Sequence, residues 1–148
     1  MNAATPPSEL PPGYEVCAMP DGEFNALIGP IYMRLTAAGA RFAFRAASRH
    51  TNARAVVHGG MLMSFTDQVL GLTVQRAVGD LDVATVSLNC DFVASVRPGD
   101  LVEGEASVAR VTKRLIFVSG TLYRGTDVIM TASGLWTRIR PTAPAATR

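Results

Sequence analysis

Both histidines of the chain fall within HTNARAVVHGGMLMSFTDQVLG, His50 to Gly71, a segment that turns oily after its paired glycines and carries one carboxylate, Asp67. A carboxylate among apolar neighbours is costly unless charges or hydrogen bonds support it, and groups so placed recur where protons are moved. At helical spacing the residues three and four positions away are Ser64, Met63, Leu70 and Gly71, none of them basic, so no local ion pair forms. Asp67 is then either an acid reaching water through a gap in its cover or a functional base. Gly59 and Gly60 pose a similar choice. At a helix start they offer backbone N–H groups and the positive end of the dipole, approachable at close range, which suits a carbonyl oxygen gaining negative charge. Two glycines also serve a plain corner between strand and helix.

Separation sharpens the question. Eight helical steps from Gly59 to Asp67 amount to about 12 Å of rise, whereas reacting atoms must come within about 3 to 3.5 Å. One chain therefore does not supply both groups to the same bond. Two copies with antiparallel helices would, giving two equivalent composite sites about a two-fold axis, so a dimer is expected. His50 and His58, with one nearby acid, lack zinc-ligand spacing, and His50 reads as a loop residue. Neither a G-x-S-x-G elbow nor a nucleotide-binding glycine motif occurs. No metal or cofactor is expected.

The element carrying these groups should be a helix from near Gly59 to just before Gly79, the latter suited to a left-handed C-cap. Met61, Leu62, Met63, Phe65, Val69, Leu70, Leu72 and Val74 surround most of its circumference, so it must be covered on most sides. Strands supply the cover. IYMRLTAAGARFAFRAA reads as a hairpin turning at AAGA, preceded by a short helix over GEFNALIG that Asp21 could cap. In VATVSLNCDFV the period of two puts Ala84, Val86, Leu88, Cys90 and Phe92 on an oily side and Thr85, Ser87, Asn89 and Asp91 on a polar one. RPGD then turns into LVEGEASVARV, and LIFVSGTLYRG and VIMTASGLWTRI complete a meander. The fold class is α+β, with the long helix lying in the concave face of an antiparallel sheet.

The 148 residues are apportioned to an N-terminal extension over 1–20, one domain over 21–140 and a C-terminal tail over 141–148; proline marks both ends. Fourteen basic and twelve acidic residues are scattered without a basic cluster, which disfavours nucleic acid. Apolar runs stop short of a membrane span, and the start lacks the features of a secretory signal, so a cytoplasmic location is expected. Cys17 and Cys90 belong to no C-x-x-C pair and read as small buried hydrophobes.

With Asn52, His58-Gly59-Gly60 and Asp67 in this order, the chain resembles the hot-dog-fold acyl-CoA thioesterases, in the branch that includes the phenylacetate-degradation type. The resemblance runs from FNALIGP to GLWTRIR. It implies a five- or six-stranded antiparallel sheet wrapped around the helix, a homodimer that often pairs into a homotetramer, and hydrolysis of an acyl-CoA to free acid and CoA. Asn52 and the Gly59 N–H would polarise the thioester carbonyl, and His58 would order their loop. Asp67 of the opposing subunit would act as general base on water or attack the carbonyl itself. Thr85, where serine is common in the family, would help orient the water. Substrate contact is expected from Gly60 and from an apolar groove beside Met61 and Phe65, with Arg54, Arg97, Lys113 and Arg114 as candidates for the CoA phosphates. Two rivals share the fold: an acyl-CoA-binding module without catalysis, which would not need Asp67, and a hydratase or dehydratase, whose His and acid are placed differently.

Overall fold

A helix that is apolar on most sides needs a surface that curves around it. The computed structural model, which describes residues 10–18 and 22–139, shows how this chain builds one. In chain order the elements are β1 (Glu15–Val16), α1 (Gly22–Ile28), β2 (Tyr32–Thr36), β3 (Gly39–Arg45), a 3-10 turn (Ser48–His50), α2 (Gly59–Val78), β4 (Val83–Phe92), β5 (Leu101–Val111), β6 (Leu115–Arg124) and β7 (Asp127–Arg138). One antiparallel sheet holds all the strands in the order β1-β2-β3-β5-β6-β7-β4, and α2 packs against β3 through β7. This is the hot-dog fold. The sheet has seven strands because Glu15 and Val16 pair with Met33 and Tyr32, which adds a short strand to the expected five or six.

Phe65, Val69, Leu70 and Val74 of α2 are wholly buried, against Phe42 and Phe44 of β3, Val102 of β5, Ile116 of β6 and Met130 of β7. Glycines on the sheet let the helix come this close. A Cβ at Gly104 would stand 2.8 Å from Val69, and one at Gly120 would stand 2.7 Å from Leu70 and 2.8 Å from the Glu105 carbonyl oxygen. The helix ends where the sequence places it, with Gly79 left-handed at φ 64°. Asp21, the proposed cap of α1, lies outside the described residues. Of the α1 residues expected to share an apolar face, only Ile28 is buried, while Phe24 and Leu27 remain 54% and 69% exposed.

Two expectations about the strands need correction. The meander covers β5, β6 and β7 only; β4 pairs with β7, and β5 with β3, so the connection through RPGD crosses the sheet end instead of joining neighbours. Alternation reveals which face a residue takes, not which strand lies alongside. Within β4 a bulge at Val86 breaks the register between Thr85 and Ser87. Thr85 therefore stands opposite buried Trp136 and faces α2, on the same side as Leu88 and Cys90, while Val86 is left 54% exposed. Among the described residues no helix is long and apolar enough to cross a membrane.

Candidate active site

The loop before α2 is fastened at several points. An isolated antiparallel bridge joins Thr51 to Val57, the His58 N–H donates to the His50 carbonyl (2.8 Å), and the Val57 N–H donates to the Val96 carbonyl (2.8 Å). Inside it the Asn52 N–H reaches the Val56 carbonyl at 2.9 Å, while Ala55 takes the left-handed conformation at φ 57°. Asn52 Oδ1 accepts from the Arg54 N–H at 2.9 Å, which fixes the amide plane. Its NH₂ group has no acceptor among the described residues.

His58 caps α2. Its Nδ1 accepts from the Gly60 N–H at 2.8 Å, so the neutral ring carries its proton on Nε2. The Gly60 donor is thereby spent, whereas the Gly59 N–H, first in the helix, has no partner among the described residues. Of two glycines expected to offer donors, one does. Both also accommodate close neighbours, which a simple corner would not require: a Cβ at Gly59 would stand 3.0 Å from the Phe92 ring, and one at Gly60 3.0 Å from His58 Nδ1. Phe92 thus lies beside the available donor. Its sequence position at the end of an oily strand face gave no sign of that, because alternation does not encode how β4 crosses the helix start.

His50 is no loop residue in the solvent sense. Only 6% exposed, it presents its ring edge to Phe44 (centroids 5.5 Å apart), and Nδ1 accepts from the Ala47 N–H at 3.1 Å. Its Nε2 is buried without a well-formed hydrogen bond. Burial, then the Arg49 charge, hold its pKa below the usual histidine value, against a smaller opposing pull from the Ile28 carbonyl. His50 is a neutral prop under the loop.

Asp67 sits half-buried on the side of α2 that faces β4, and its Oδ1 accepts from Thr85 Oγ1 at 2.8 Å. No cation pairs with it among the described residues. Burial, with Asp91 and then Asp67 adding to it, pushes the neighbouring Cys90 thiol up, which disfavours its thiolate. Among the described residues the sheet has no strand beyond β4, and this carboxylate and hydroxyl lie next to its open edge.

The remaining expected contacts divide by position. Gly60 and Met61 line a groove of about 510 Å³ between α1 and the start of α2. Phe65 does not line it; wholly buried and edge-on to Phe44 at 4.7 Å, it belongs to the core beneath. Arg54 and Arg97 lie where α2 begins, the latter in a turn closed by its own N–H on Asp100 Oδ2 at 2.9 Å. Lys113 and Arg114 occupy the β5–β6 turn at the far end, where the Arg114 carbonyl accepts from Arg138 and Arg138 pairs with Asp80 just after α2. Since α2 has twenty residues, about 30 Å at the helical rise, one chain does not bring the four cations together. No group of three or more His, Cys, Asp or Glu among the described residues is arranged to hold a metal ion.

A long helix cradled by a sheet, with a free amide at one end and a supported carboxylate midway, defines a class. The chain belongs to the thioesterase superfamily, whose family model matches residues 55–131. A Pseudomonas aeruginosa protein provisionally classed as an esterase is 30% identical over 112 residues, covering 74% of this chain and 84% of its own length. Among solved structures, a phenylacetic acid degradation-related protein of Ralstonia eutropha, itself provisionally a thioesterase, superposes with a TM-score of 0.71 at 24% identity, covering 80% of this chain and 92% of that one. The BH2602 protein of Bacillus halodurans, solved with CoA, gives 0.68 at 21% identity, covering 74% of each chain. At these identities the structural likenesses establish the fold. Thioester hydrolysis is the general chemistry that superfamily membership supports.

Proposed function

We propose that the protein hydrolyses an acyl-CoA thioester to the free acid and CoA at a site shared by two subunits. The observation that carries this is Asp67: a half-buried carboxylate with no cation partner among the described residues, held by Thr85 at 2.8 Å beside an open sheet edge. The thioester carbonyl oxygen accepts from the Gly59 N–H of one subunit, with the Asn52 NH₂ as second donor and His58 fixing the helix start. Asp67 of the partner copy, its orientation set by Thr85, takes a proton from water as the water oxygen attacks the carbonyl carbon. Collapse of the oxyanion breaks the C–S bond, and the CoA thiolate takes up the proton. In the nucleophilic variant Asp67 attacks directly, and water then hydrolyses the anhydride. The CoA held by the Bacillus halodurans neighbour supports the choice of thiol. For its phosphates, Arg54 and Arg97 of one subunit are joined by Lys113 and Arg114 of the other only if the helices run antiparallel.

Thiol release from a panel of acyl-CoA substrates tests the activity. Asp67→Asn should lower the rate by about 10²-fold or more, the range of a lost general base, with the dimer intact. Equal turnover by the variant removes Asp67 from the mechanism, and no turnover of any thioester by the native chain leaves a binding module. Mixed dimers of Asp67→Asn with Gly59→Pro, which removes the amide donor, should regain activity through their one complete site.

A further inference from the structure

Resting on that reading, we infer that the substrate's acyl group lies in the groove between α1 and the start of α2, and that Phe24 and Leu27 of α1 select among acyl groups by size. These two side chains are not spent on the core: α1 buries only Ile28 and leaves Phe24 and Leu27 54% and 69% exposed. They face the groove of about 510 Å³ that Met61 lines from α2 and that reaches His58 and Gly60 at the helix start. That volume lies within the range of small-molecule sites.

Apart from His50 Nε2, which is itself buried, the polar side chains lining the groove each have a partner in the protein. Ser64 Oγ donates to the Gly60 carbonyl at 2.8 Å, Thr51 Oγ1 donates to the Ser48 carbonyl at 2.7 Å, the Arg49 guanidinium donates to the Gly29 carbonyl, and His58 Nδ1 is taken by Gly60. What they leave is an apolar trough. From a carbonyl held at Gly59 the two remaining substituents diverge, one toward α1 and one toward Phe92 and the β4 edge. Pantetheine, with its two amides, needs hydrogen-bonding partners, which an apolar trough does not offer. A hydrocarbon needs none, so the acyl group takes the α1 side. The wall also stays in register with the carbonyl donor, because the Arg49 contact ties the end of α1 to the segment that leads into the site loop.

The test measures kcat/KM for butyryl-, octanoyl-, phenylacetyl- and succinyl-CoA, and inhibition by free CoA, in the native chain, Phe24→Ala and Leu27→Trp. The native chain should prefer the hydrocarbon groups to succinyl. Phe24→Ala should lower kcat/KM for octanoyl- and phenylacetyl-CoA by about tenfold or more, the scale on which lost apolar pocket contacts discriminate substrates, and leave butyryl nearly unchanged. Leu27→Trp should fill the trough and reject the larger groups while butyryl still turns over. Inhibition by CoA should be the same in all three proteins. A uniform loss across substrates with weaker CoA inhibition would place pantetheine in the groove and overturn the assignment, as would unchanged selectivity in both variants. Absence of turnover by the native protein on every thioester is a different result, and it overturns the hydrolase reading itself.

Discussion

The Cys90 thiol reports on Asp67. Burial does most to keep the Cys90 thiol protonated, but the Asp67 charge contributes, so the thiol serves as a gauge of that carboxylate independent of turnover. In a Cys17→Ser background, Cys90 should alkylate more slowly than a free thiol at pH 8, and Asp67→Asn should accelerate the reaction by removing a charge that opposes the thiolate. An unchanged rate would mean that the Asp67 charge does not act on the thiol. His50 makes a second prediction. Its pKa is depressed in the folded protein, so the neutral ring contributes stability that is present above 6.5, the ordinary value, and lost as pH falls below it, since the unfolded chain takes up the proton first. Urea titrations should show the unfolding free energy dropping below pH 6.5, with a shallower drop in His50→Gln, which keeps an acceptor for the Ala47 N–H. Individual residues were unevenly legible in the sequence. Asp67 stood out because a lone acid in an oily helix is anomalous on composition alone. Phe92 beside Gly59, and the occupation of the Gly60 donor by His58, depend on side-chain approaches that no spacing rule encodes.

The α2 helix could be read end to end, because a long apolar run between paired glycines at its start and a glycine at its end are local signals. Strand order could not, and the Val86 bulge reversed the expected side for Thr85: one extra residue exchanges the two faces of everything before it. Glycines show the same divide between local and tertiary causes. Gly71 lies inside α2, where a Cβ would meet Trp136 Nε1 at an ordinary 3.5 Å, so Gly71→Ala should stabilise the protein by about 0.5 to 1 kcal/mol through helix propensity. Gly120→Ala should do the reverse, losing about 1 to 3 kcal/mol to overpacking, since its Cβ would strike Leu70 and the backbone of β5. Denaturant midpoints of the two variants moving in the same direction would contradict this account of how the helix seats on the sheet.

The open edge of β4 bears on the whole assembly. Strands at a sheet edge are ordinarily blunted by lysine, proline or short length. Yet β4 spans ten residues, holds no lysine or proline, has Asp91 as its one charge, and with the residue that follows leaves Val86, Phe92 and Val93 54%, 54% and 59% exposed. Such an edge is suited to pairing with its own copy. Two chains related by a two-fold axis and joined along β4 would continue the sheet, set their α2 helices side by side in opposite directions, and carry the Asp67 of each toward the Gly59 of the other. The separation along one helix led from sequence alone to the expectation of antiparallel helices about a two-fold axis; the edge supplies a surface on which they could meet. Sedimentation should therefore find a dimer at micromolar concentration. Val86→Lys with Val93→Lys, charges placed on exposed positions at the edge that do not face α2 as Thr85 does, should yield monomers with unchanged far-ultraviolet dichroism and little thiol release. Activity in the double variant should recover as protein concentration is raised into the range where dimers re-form. A folded monomer that turns over substrate at the native rate would show that one chain holds a complete site, and the shared arrangement would fall with it.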